Sequence, residues 1–158
     1  MKYLHHIVRD ILGAQIHATE AKNFPVRGLC RHTRDVQEGF MYAAIPGNVN
    51  DGHNYIDEAI NKKATSVLLE RLPLRLHKGV CYVQVPCVAL AWAHISSVYF
   101  DCPSQNLNIV GITGTNGKTT IATLLYRLFK ALGYKVGLFS SLAYVSPQPK
   151  HTLSLIHI

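Results

Sequence analysis

The stretch from Leu107 to Phe139 admits few folds. An apolar run, Leu107–Ile112, leads into a small-residue segment at 113–117. Lys118 to Leu132 then follows as an amphipathic helix, Gly133 stands where a helix-ending glycine belongs, and Lys135–Phe139 is apolar again. Strand, glycine-rich turn, helix and strand in this order make one βαβ module with a parallel sheet.

The turn carries chemistry. Glycines at 111, 114 and 117 let successive backbone N–H groups turn inward around anionic oxygens. Lys118 supplies a cation for outer phosphates, Thr119 a hydroxyl able to help hold a magnesium ion, and the helix start favours negative charge. The general phosphate-loop pattern puts its first glycine where Ile112 stands; here the glycine lies one place earlier, at Gly111. The plain alternative is a glycine turn that only joins a strand to a helix. Lys-Thr after the last glycine favours the phosphate reading.

Upstream, the pattern alternates strands and helices. Leu4, Ile7, Val8, Ile11 and Leu12 have helical spacing within 2–17. Strands are expected at Val26–Arg31, Phe40–Ile45, Thr65–Leu69 and Cys81–Val85, and helices at Tyr55–Ala64 and Ala89–Phe100. The turn formers of Pro46–Gly52 read as a loop, and Asp101–Asn106 as a linker. The expectation is therefore an α/β protein of two parts. A small α/β domain covers 1–103. The start of a phosphate-loop nucleotide-binding domain, truncated, covers 104–152. Residues 153–158 read as a non-native tail.

The chain is 48% hydrophobic and 16% charged, which suits a folded core rather than disorder. Its net charge of +7 comes from scattered basic residues with no dense run, so nucleic acid is not expected as a partner. No apolar run nears the roughly 20 residues of a membrane span, and the start lacks the apolar centre of a secretory signal. The protein reads as cytoplasmic. Cys30, Cys81, Cys87 and Cys102 form no Cys-x-x-Cys pair and read as reduced thiols.

Gly114-Thr-Asn-Gly-Lys-Thr-Thr120 resembles the phosphate loop of the Mur ligases and their folylpolyglutamate-synthase relatives. Residues 32–56 resemble the Asp-Ser-Arg … Asp-Gly-His stretch of the Mur ligase first domain, which holds the uridine diphosphate end of the substrate. The approach Tyr99–Ser104 is most similar to the MurE type, which adds the third residue of the peptidoglycan stem. The MurF type is the alternative within the family; its loop tends towards Gly-Ser where Gly114-Thr115 stand. A nucleotide-binding module without catalysis is the alternative outside it.

The resemblance implies an ATP-dependent amide ligase. The D-glutamate carboxylate of UDP-N-acetylmuramoyl-L-alanyl-D-glutamate would become an acyl phosphate, and a diamino acid's amine would displace the phosphate. It implies ATP and Mg²⁺ as cofactors, ATP contacts from Gly114, Thr115, Asn116, Gly117, Lys118, Thr119 and Thr120, a catalytic role for Lys118, and a metal contact from Thr119. It implies substrate contacts from Arg31, Thr33, Asn48, Val49, Asn50, His151 and Thr152. For Thr33, Asn48 and Asn50 ordinary turn chemistry remains an equal reading of the residues. Asp-Ser-Arg reads His32-Thr33-Arg34 here, which keeps the hydroxyl and loses the acid. The resemblance covers only a minority of the family's length, so the chain is expected to be inactive alone, and the full-length protein to be a monomer.

Overall fold

A computed structural model describes residues 2–18, 24–47 and 50–145. The chain divides into two compact units, Met1–Leu107 and Asn108–Ile158.

The first unit is a mixed α/β layer structure. Its elements are β1 (Lys2–Tyr3), α1 (Leu4–Val8), β2 (Gln15–Ala18), β3 (Pro25–Val26), β4 (Gly28–Cys30), β5 (Phe40–Ala43), α2 (Ile56–Asn61), β6 (Ser66–Leu69), β7 (Cys81–Gln84) and α3 (Val88–Tyr99). The main sheet runs β2-β7-β6-β5-β4, parallel from β4 to β7, with β2 antiparallel on the edge. A small β1–β3 pair stands apart.

The three inner strands are buried along nearly their whole length because both faces are covered, which suits apolar runs better than alternation. On one face Met41, Ala43, Leu68 and Val83 pack with Ile7 of α1 and Val88, Ala91 and Ile95 of α3. On the other, Tyr42, Val67, Leu69 and Tyr82 pack with Ile56 and Ala59 of α2. Glu70 joins these layers: its carboxylate accepts from the Val88 amide at 2.9 Å, capping α3 from the end of β6. Cys30 and Cys81 are free thiols inside these cores, and burial pushes them up to about 12 and about 11.

Two expectations for this unit are corrected. The helix expected over 2–17 closes after Val8. The chain then turns through Gly13 at φ +75° and forms β2, whose backbone pairs with β7 from Gln15↔Gln84 to Ala18↔Cys81. Ile7 and Val8 bury fully while Leu12 is 92% exposed, so the apolar spacing stops serving a helix halfway along. The strand expected at Val26–Arg31 is split at Arg27, whose amide donates to the Gly39 carbonyl at 2.9 Å.

The second unit holds α4 (Lys118–Ala131) and a short antiparallel pair, β8 (Leu138–Phe139) with β9 (Tyr144–Val145). Phe139 and Tyr144 pack edge to face across that pair, centroids 4.5 Å apart. The buried strand expected at Leu107–Ile112 is not formed. Ile109 and Val110 are 71% and 64% exposed, and the segment takes no strand conformation. An apolar run becomes a buried strand only when neighbours satisfy its N–H and C=O groups. Among the described residues no parallel pair therefore frames the loop before α4.

Candidate functional site

Two places concentrate the polar groups singled out from the sequence. The first is a cleft of about 540 Å³ in the first unit, outside the carboxyl ends of β4 and β5. Parallel sheets present their sites at such strand ends, where the chain leaves regular structure and side chains can converge. Arg31, His32, Thr33 and Arg34 come from the turn after β4. Ile45, Pro46 and Gly47 come from the exit of β5, and Asn50, Gly52 and Tyr55 from the following segment. Arg31, Thr33 and Asn50, expected together from the sequence, do line one cleft. Asn48 and Val49 lie outside the described residues, as do His151 and Thr152.

The cleft is built from below. Tyr42, inside the sheet, donates its hydroxyl to the Gly52 carbonyl at 3.0 Å, and burial first of all pushes that phenol up to about 12. The Gly52 amide donates to the Ile45 carbonyl at 3.0 Å. Lys62 donates to the Glu58 carboxylate at 2.8 Å, and this bond first, then the neighbouring Thr33 side chain, holds Glu58 below the usual carboxylate range. Lys62 also donates to the Thr33 carbonyl at 3.2 Å, so the end of α2 orients Thr33 through its backbone.

Asp51 and His53 take roles that the sequence did not reveal. The Asp51 Oδ1 accepts from the His53 amide at 2.9 Å and from His53 Nδ1 at 2.7 Å, while its Oδ2 accepts from Arg71 Nη2 at 2.6 Å. His53 Nε2 accepts from the amides of Glu70 at 3.1 Å and Arg71 at 3.3 Å. Their only sequence signal is the Asp-Gly-His triplet itself. The partners lie at the end of β6; those of His53 are backbone amides, and Arg71 adds its side chain to Asp51.

The His53 amide, then its ring, then the Arg71 charge hold the Asp51 carboxyl below its ordinary value. A depressed carboxyl contributes stability that is present above its unfolded value and lost as pH falls through the folded one. Asp51→Asn should cost about 1 kcal/mol at neutral pH. The difference from the unaltered chain should shrink as pH falls below about 4, in urea titrations at several pH values. A pH-independent difference would contradict this linkage.

The second place is the start of α4. Gly117, at φ +76°, precedes the helix, and its carbonyl accepts from the Ile121 amide at 2.9 Å. A side chain there would be strained though a Cβ would point into open space, and a Cβ at Gly114 would touch the Asn116 carbonyl oxygen at 3.8 Å. Lys118 is exposed, its Nζ donating to the carbonyls of Gly114 and, at 3.1 Å, Thr115. The Thr119 hydroxyl lies 3.3 Å from that of Ser141. Gly114 to Thr120 thus form a continuous exposed surface with one ammonium group and several hydroxyls, and Thr119 alone is half-buried. An oxygen-rich, carboxylate-poor donor set fits a magnesium ion that arrives on phosphates and keeps most of its waters. Among the described residues no cluster of His, Cys, Asp and Glu could hold a metal by itself.

The Mur ligase middle domain model matches residues 112–156. The UDP-N-acetylmuramoyl-L-alanyl-D-glutamate–2,6-diaminopimelate ligase of Bacteroides fragilis is 44% identical over 78% of this chain and 25% of its own length. That of Cytophaga hutchinsonii is 47% identical over 73% and 24%. That of Bacteroides thetaiotaomicron is 39% identical over 92% and 30%. The chain thus spans 24–30% of the length of these curated relatives. Among solved structures, MurF of Acinetobacter baumannii matches at a TM-score of 0.58 and 18% identity, covering 81% of this chain and 26% of its own, a likeness of fold. MurF of Thermotoga maritima, solved in complex with ADP, matches at 0.53 and 28% identity over 70% of this chain and 25% of its own. With its phosphate loop, its cleft at the parallel strand ends and these relatives taken together, the chain belongs to the Mur ligase family.

Proposed function

We propose that this chain supplies two binding sites of an ATP-dependent amide ligase of peptidoglycan precursor synthesis. That enzyme adds a diamino acid to UDP-N-acetylmuramoyl-L-alanyl-D-glutamate through an acyl phosphate. The observation that carries the reading is Gly114–Thr120 opening α4, in a chain 39–47% identical to ligases named for that reaction. The residues divide as 1–103 for the UDP-substrate domain and 104–152 for the start of the ATP domain. The protein acts in the cytoplasm, and as a monomer when full length. No helix of the described residues is long and apolar enough to cross a membrane.

Each site has a stated task. Bound ATP supplies the phosphoryl group that activates the substrate carboxylate, and Mg²⁺ screens its charge. Amides and hydroxyls of Gly114, Thr115, Asn116, Gly117, Thr119 and Thr120 hold the phosphates. Thr119 offers the metal its hydroxyl, and Lys118 leaves its carbonyl partners to reach the outer phosphates. In the cleft, Arg31 and Thr33 hold the diphosphate of the UDP substrate and Asn50 its uridine end. Asn48 and Val49, and His151 and Thr152 further along, contact the same substrate. Arg31 and Arg34 give the cleft mouth the positive sign a diphosphate requires.

Titration of the chain with UDP-N-acetylmuramoyl dipeptide tests the cleft. Arg31→Ala should weaken binding about tenfold or more, and Thr33→Ala and Asn50→Ala several-fold each. No association, or unchanged affinity in all three variants, would remove the substrate assignment.

A further inference from the structure

The geometry points to His53 as the positioning residue of the cleft, a neutral imidazole that carries its proton on Nδ1 and ties Asn50–His53 to the end of β6. This rests on the cleft reading above and adds what holds the cleft in shape. A ring nitrogen that accepts two backbone N–H groups has no proton of its own. The Nε2 contacts to Glu70 and Arg71 therefore leave the proton to Nδ1, where Asp51 Oδ1 accepts it at 2.7 Å. The ring is nearly enclosed, with 10% of the side chain exposed.

The segment is held from three directions. His53 fixes it to the β6 end, the Tyr42 hydroxyl holds the Gly52 carbonyl, and the Ile45 carbonyl holds the Gly52 amide. Asn50 enters the cleft from the start of this segment, beside Tyr42 and Ile45. The charged groups facing the ring are Asp51 and, through Asp51, Arg71 at 2.6 Å. Without the ring, the Asp51 turn could still form through the His53 amide, but its tie to the end of β6 would rest on the exposed Arg71 side chain.

Two substitutions separate the two halves of the ring. His53→Asn places an amide nitrogen near the Nδ1 position and reaches Asp51 only. His53→Gln places an oxygen near the Nε2 position, within reach of the Glu70 and Arg71 amides. His53→Asn should speed hydrogen exchange at those two amides about tenfold or more and weaken uridine diphosphate binding by a similar factor. His53→Gln should retain protection and bind within about threefold of the unaltered chain. Imidazole ¹⁵N shifts of the unaltered chain, above the ordinary histidine range, should give Nδ1 as the protonated nitrogen. A proton on Nε2, or exchange and binding unchanged in both variants, would overturn the proposal. If the unaltered chain fails to bind uridine diphosphate, the cleft's ligand assignment falls. The ¹⁵N shifts and the exchange at Glu70 and Arg71 then still decide whether His53 positions this segment.

Discussion

Replacing Lys118 with alanine should reduce affinity for magnesium ATP by about a hundredfold or more, close to 3 kcal/mol. Lys118 supplies the one ammonium group among Gly114–Thr120, and a triphosphate concentrates its charge on its outer oxygens. The side chain already arches over the loop, donating to the Gly114 and Thr115 carbonyls. It can exchange those neutral acceptors for anionic ones with little movement. Because it is exposed and its bonds there are to surface carbonyls, the thermal midpoint should hardly move. Lys118→Met keeps the aliphatic stem and should lose affinity equally, which separates charge from packing. Lys118→Arg should recover only part of it, since a planar guanidinium cannot sit as a point charge inside a tight loop. Calorimetric titration with magnesium ATP checks all three. Retained affinity in the alanine variant would refute the role of the loop.

Local chemistry was readable from the sequence where it stands in one stretch. Gly117-Lys118-Thr119 announces a phosphate loop because amides, ammonium and hydroxyl come from consecutive residues, and α4 starts at Lys118 as expected. The inner strands β5, β6 and β7 were readable because burial on both faces demands unbroken apolar runs. The same rule misled at Leu107–Ile112, where apolar residues stand exposed with no strand beside them among the described residues. Gln15–Ala18 carried too little pattern to reveal β2; the unpaired edge of β7 decides its conformation. Arg31, Thr33 and Asn50 were foreseen together through resemblance, since 19 positions separate the first from the last and no periodicity links them. The His53 contacts were hidden for a different reason. Glu70 and Arg71 act there through backbone amides, which every residue but proline carries, so their side-chain identities hold no trace of the bond. Glu70 as the cap of α3 was equally out of sight, because its carboxylate reaches Val88 from a separate strand.

Gly52→Ala should destabilise the first unit by about 2–4 kcal/mol, and should weaken ligand binding in the cleft beyond what that loss of stability explains. A Cβ on Gly52 would stand 2.7 Å from the Ile45 nitrogen, 2.8 Å from its oxygen and 2.9 Å from the Ala44 carbonyl carbon. All three are backbone atoms directly beyond β5, so no side-chain rotation relieves the overlap. Either the exit of β5 moves or the Asn50–His53 segment moves. Moving β5 disturbs Ala43 and Ala44, both fully buried, and the Ala44 amide's bond to the Leu68 carbonyl at 2.8 Å. Moving the segment breaks the Gly52 amide bond to Ile45 and pulls the Gly52 carbonyl from the Tyr42 hydroxyl, leaving a buried phenol without its acceptor. The second route is the cheaper, because that segment borders the cleft and is partly exposed. The damage should therefore fall on Asn50 and Tyr42 rather than on the inner strands. Urea unfolding measures the first effect. Tyr42→Phe supplies the comparison for the second: it removes only the hydroxyl bond, should cost about 1 kcal/mol, and should leave the segment tied through Ile45 and His53. If Gly52→Ala unfolds at the urea concentration of the unaltered chain and binds uridine diphosphate as well, the close approach of these backbones is not what shapes the cleft.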